Sequence, residues 1–285
     1  MTVDRHREVD FDLRHTGTPP FSGTVFITPN VLTSADQTSL QDVTYIGRGE
    51  RTIFDARIEE WRPVDVYLFE ARYSSGTLEF QVNPEFGSVE AALAEVDTYA
   101  PAIGRLPAAL LSGLVYATVN AGTELFRAAV GGSWHGGVII HTGQGAEYSE
   151  TGFLEEVFLH EAGHAAFDLD HANAEGWRAA QQTDDGVFIS TYARDHPQRE
   201  DIAESILPYF AVRYRPDRLT ATDAWQILTA IPNRLIYFDE LELDMAPYTA
   251  TWSLAPVFGT MLAKPVPAPA RRAWQVFEGP PATRP

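Results

Sequence analysis

Residues 150–167 read ETGFLEEVFLHEAGHAAF, and within them His160-Glu161-Ala162-Gly163-His164 is an HExxH pentad. Val157, Phe158, Leu159, Ala162, Ala165 and Phe167 flank it with apolar side chains, so the stretch predicts a buried helix over about Glu150 to Phe167. Residues four apart on a helix lie one turn above each other. Both imidazoles therefore leave from one face and can share an ion at nitrogen distances of roughly 2.0–2.1 Å. Two buried imidazoles and a carboxylate would be costly without a metal or a counter-charge. Glu161 stands beside the first histidine, where a general base is needed. Zinc lowers the pKa of a bound water toward about 7, and the carboxylate takes its proton as it attacks a polarised carbonyl. The pentad thus points to hydrolysis assisted by Zn2+.

Two histidines do not hold a catalytic zinc, and with Cys 0 the third donor must be a histidine or a carboxylate. One candidate is Asp170, six residues after His164, the spacing at which metzincins place their third ligand. Against it, Phe167 occupies the position where that pattern has a turn-forming glycine, and Asp244-Met245-Ala246-Pro247 is only a weak match to a Met-turn. Asp168 and His171 are further donors close by, at what reads as the polar end of the helix. The stronger candidates lie downstream, on a helix expected over Arg199 to Arg213. Ala203, Ile206, Leu207 and Phe210 mark its apolar arc, with Glu200 and Glu204 together on the border. Paired carboxylates there want a cation: one can bind the metal while the other accepts the outer N–H of a ligand histidine. Pro208 is expected to end or kink this helix.

The HEAGH helix, followed by Thr191-Tyr192-Ala193-Arg194 and then Glu200-Asp201-Ile202-Ala203-Glu204, resembles the gluzincin-type catalytic domain of anthrax lethal factor and the bacterial Pro-Pro endopeptidases. The resemblance covers roughly residues 100–215. It implies an α+β, zincin-like metallopeptidase domain, a peptide or protein as substrate, and His160, His164 and Glu200 as zinc ligands. It further implies Glu161 as base, Tyr192 as a donor to the transition state, and Glu204 as the acceptor behind a ligand histidine. The metzincin-like arrangement with Asp170, and a non-catalytic binding module on the same scaffold, are the alternatives.

Before the motif, the chain reads as short β-type runs: Thr24 to Thr28, Val43 to Ile46, Val64 to Tyr73 and Thr77 to Val82. Ser74-Ser75-Gly76 forms a hairpin turn between the last two. Residues 1–85 are therefore expected to be a β-rich N-terminal segment, 86–262 the catalytic domain, and 263–285 a Pro-rich tail. Ser88 is a good N-cap for a helix to about Tyr99. Further helices are expected over Ala174 to Gln182 and Thr222 to Ala230. The strand Gly137 to His141, GVIIH, directly precedes the HExxH helix; the resemblance implies an edge strand along the cleft at this position, with Trp134 and His135 as candidates to line a pocket beside it, and a central core strand paired on both sides is the alternative.

Composition sets the outer bounds. With 285 residues and 45% apolar side chains there is ample length for a folded core. Lys+Arg 21 against Asp+Glu 39 gives a net charge of −18, a field that repels nucleic acid and anionic lipid. Residues 1–13 are charged throughout, without the apolar stretch of an export signal. The chain as given is thus expected to be soluble, whether cytoplasmic or secreted after removal of a leader. The glycines between Gly131 and Gly145 are followed by no Lys-Ser/Thr pair and make no phosphate loop.

Overall fold

The computed structural model describes residues 17–251; the charged first residues and the Pro-rich tail lie outside the described residues. β1 (Leu40–Asp55), β2 (Glu60–Tyr73) and β3 (Gly76–Val82) form an antiparallel meander, and Tyr73 pairs with Gly76 across the expected turn. α1 (Val89–Ile103) begins at Ser88, whose hydroxyl accepts the Ala91 N–H. With the short α2 (Ala108–Leu111), it makes the crossover to β4 (Tyr116–Asn120), which runs parallel to β3. β5 (Arg127–Ala129) and β6 (Gly137–His141) complete one six-stranded sheet in the order β1-β2-β3-β4-β6-β5. Strands from both sides of residue 85 share this sheet, and the fold is α+β.

The helical half follows as α3 (Thr142–Thr151), α4 (Leu154–Phe167), α5 (Glu175–Thr183), α6 (Thr191–Asp195), α7 (Asp201–Tyr214), α8 (Ala221–Ala230) and α9 (Pro232–Glu240). Phe69, Phe80, Val119 and Ile140 from the sheet, Tyr99 from α1, Phe158 from α4 and Phe210 from α7 belong to one buried core. Among the described residues no helix is long and apolar enough to cross a membrane.

Several expectations need correction. The helix expected over 150–167 is two helices, because Gly152 adopts the left-handed conformation (φ 80°) that caps α3 before α4 starts. Thr24 to Thr28 forms no strand and joins no ladder among the described residues. Its amides instead find carboxylates, Val25 N–H on Glu204 and Ile27 N–H on Glu156. Pro208 does not end α7, which continues to Tyr214; every residue from Asp201 to Val212 is buried, and that packing outweighs one lost backbone hydrogen bond. β6 is not an edge strand: it is parallel to β4 on one side and antiparallel to β5 on the other. An unbroken apolar run such as GVIIH suits a strand covered on both faces, and the edge falls to β5.

Gly163 explains how α4 and α7 come together. A Cβ at this position would stand 2.8 Å from Ile206 Cγ2 and 3.5 Å from Ala203 Cα, so the missing side chain is what lets the two helices touch. Glycine in a helix interior costs about 1 kcal/mol relative to alanine, a penalty set against this contact. Gly163→Val should destabilise the protein by about 1–3 kcal/mol through overpacking, read from urea unfolding, even though valine is the better helix former. A variant as stable as the wild type would mean that the helices are not in contact there.

Candidate metal centre

α4 supplies His160 and His164 one turn apart, and Glu200, at the N-cap of α7, faces them. All three residues are buried, and their donor atoms lie within 4.8 Å of one another. His160 Nε2 and His164 Nε2 are 3.2 Å apart, and Glu200 Oε2 is 3.1 Å from His164 Nε2 and 3.7 Å from His160 Nε2. A tetrahedral ion with bonds of roughly 2.0–2.1 Å would set its donors about 3.3 Å apart, so the triangle is sized for one.

Each imidazole is backed by a carboxylate on its other nitrogen. Asp168 Oδ2 is 2.8 Å from His164 Nδ1, and Glu204 Oε1 lies 3.3 Å from His160 Nδ1, both of these last two atoms being buried and without a hydrogen bond among the described residues. With both Nδ1 atoms facing acceptors, both Nε2 lone pairs point at Glu200, and three acceptors converge with no donor among them. That donor set fits a metal cation. Without one, a proton fills the gap. Burial pulls the His164 imidazolium down, but hydrogen bonds to Asp168 and Glu200 outweigh it and push the group up to about 10. Burial likewise pushes Glu200 up, yet His160 and His164 together hold it well below the ordinary carboxylate range.

Five of the sequence-predicted residues, His160, Glu161, His164, Tyr192 and Glu200, line one cleft of about 740 Å³, while Glu204 lies behind His160. Glu161 is buried, and its carboxylate has no hydrogen-bond partner among the described residues. Tyr192, on α6, donates its hydroxyl to Glu200 Oε1 at 3.1 Å. Burial and the Glu200 carboxylate both push its pKa up, so the phenol is a neutral donor at neutral pH. Asp170 is exposed and outside the group, and Asp244 to Pro247 packs elsewhere: the carbonyls of Asp244 and Ala246 accept the Ala109 and Ala108 N–H groups of α2. Trp134 stacks on Trp61 at 4.4 Å, and neither Trp134 nor His135 lines the cleft.

Two residues of the site were missed as such by sequence reasoning. Asp168 is the partner of His164, four residues on, at the i,i+4 spacing that could have singled it out from the polar helix end. Arg199 donates to Glu200 Oε1 at 2.8 Å and reaches the Tyr192 hydroxyl at 3.4 Å; only its place beside Glu200 hinted at this. Compared with protein-family models, curated proteins and solved structures, the chain has no match.

The buttress makes a discriminating prediction. Asp168→Asn should weaken zinc binding by about 10- to 100-fold in a chelator competition, whereas Asp170→Asn should leave it unchanged. The reverse ranking would place the third ligand at Asp170.

Proposed function

We propose that this chain is a zinc-dependent endopeptidase with a zincin-like catalytic domain. One observation carries the reading: the His160–His164–Glu200 triangle shares a cleft with a free carboxylate, Glu161, and a neutral phenol, Tyr192. The two histidines and Glu200 would hold the ion, which when bound polarises a carbonyl and makes water nucleophilic near neutral pH. Glu161, adjacent in sequence to a ligand and without a hydrogen-bond partner among the described residues, is positioned to take a proton from attacking water and pass it to the leaving amine. Tyr192 O–H can turn from Glu200 toward the oxygen on which negative charge develops, while Arg199 remains on Glu200 to hold the carboxylate.

The substrate class follows from the other wall. β5 ends the sheet, so among the described residues one edge of its backbone has no strand partner, and Arg127 and Ala128 from it line the same cleft as the histidines. An extended peptide can add to that edge through main-chain hydrogen bonds, which align a scissile carbonyl whatever the side chains are. Leu125 and Val130 flank β5 in the cleft wall at 61% and 37% exposure, apolar surface suited to substrate side chains.

A peptide library incubated with the zinc-loaded protein should be cleaved. Glu161→Gln should keep its zinc and lose about 10²- to 10⁴-fold in kcat, the usual contribution of a general base. Tyr192→Phe should lower kcat with KM little changed, because the phenol acts on the transition state and not on bound substrate. No cleavage by the zinc-loaded wild type, or full activity in Glu161→Gln, would overturn the proposal.

A further inference from the structure

The residues ahead of the sheet are held in an unusual way. Phe21 to Ile27 form a strap, bent at residues 22–24, that first pairs with the segment leading into α6: Phe21 N–H donates to Ile189 O, Thr191 N–H to Phe21 O, and Tyr192 N–H to Gly23 O. Gly23 N–H then donates to Thr191 Oγ1 at 2.7 Å, and Val25 N–H to Glu204 Oε2 at 2.8 Å. The same Glu204 oxygen accepts the hydroxyl of Ser190, which is wholly buried. Ser190 is also the N-cap of α6, its oxygen accepting the Ala193 N–H at 2.9 Å. Two donors, from the strap and from the start of the Tyr192 helix, thus meet on one carboxylate oxygen. The other oxygen of that carboxylate faces His160 Nδ1.

We propose that the strap amide of Val25 and the hydroxyl of Ser190 are positioning groups for the metal centre, acting through Glu204 on the orientation of His160. A carboxylate anchored at one oxygen by two donors keeps a single rotamer, and its free oxygen then fixes the imidazole plane so that Nε2 faces the ion. If either donor is lost, Glu204 Oε2 keeps one anchor where it had two, and the buried carboxylate is freer to leave the rotamer that faces His160. Because Ser190 also caps α6, it ties the placement of Tyr192 to that of His160. This inference rests on the reading of His160, His164 and Glu200 as zinc ligands.

The test is a double-mutant cycle read by zinc affinity in chelator competition, with no peptide present. Ser190→Ala and Val25→Pro should each weaken zinc binding by about 10- to 100-fold in protein shown by circular dichroism to be folded. Either change placed on Glu204→Ala should add little further loss, since both act through that side chain. A purely structural role would lower the unfolding midpoint of the metal-free protein and leave zinc affinity unmoved, or would add in full to Glu204→Ala; either result overturns the proposal. Should Ser190→Ala or Val25→Pro fail to fold, amide exchange in the unmutated protein decides. Zinc should slow exchange at Val25, because a donor that favours the metal-competent site is itself favoured by the metal. Equal exchange with and without zinc would overturn the coupling. A wild type that binds no zinc would remove the metal reading and this inference together, whereas tight zinc binding indifferent to Ser190 and Val25 would remove this inference alone.

Discussion

The close contact of α4 with α7 at Gly163 is the constraint on which the rest of the site depends. The two histidines lie on α4 and the carboxylates on α7, so a metal-sized triangle exists only if the helices approach more closely than a side chain at that position would permit. Ile206 occupies the space beside Gly163, and Glu200 and Glu204 follow from its helix, one turn apart. The Ala-Gly pair inside the HExxH pentad therefore has a packing role as well as a spacing role.

Burial gives the centre its chemistry. Burying His160, His164, Glu161, Glu200 and Glu204 together would be prohibitive without mutual compensation. The compensation is nearly complete: Asp168 and Glu204 sit behind the imidazoles, while Arg199 and Tyr192 cover the outer oxygen of Glu200. What remains unbalanced is the set of acceptors converging between the two Nε2 atoms and Glu200, a group that could hold a metal ion. Among the described residues Glu161 is the one carboxylate of the group without a hydrogen-bond partner.

The parts legible in the sequence were those written in local periodicity. The HExxH spacing, its apolar flanks, the Ser88 cap and the Ser74-Ser75 turn all depend on residues within two helical turns of one another, and the structure places them as read; Glu200 and Glu204 were read on the border of an amphipathic helix, whereas both are buried, Glu200 at the N-cap of α7 and Glu204 within it. The parts that were not legible depend on distant partners. Nothing in Arg127-Ala128-Ala129 signals a strand; β5 exists because β6 offers it an edge. Thr24 to Thr28 has the composition of a strand, yet its amides are claimed by two buried carboxylates far along the chain. Pro208 would break an exposed helix and is tolerated in one buried on every side.

The most direct test of the account is X-ray absorption at the zinc edge on protein reconstituted with one equivalent of metal. Zinc held by His160, His164 and Glu200 should give a four-coordinate shell of nitrogen and oxygen donors near 2.0 Å, with the outer-shell scattering of two imidazoles, and with that scattering reduced by half in His164→Ala. A shell of six oxygens, or a spectrum unchanged in His164→Ala, would place the metal elsewhere and contradict it.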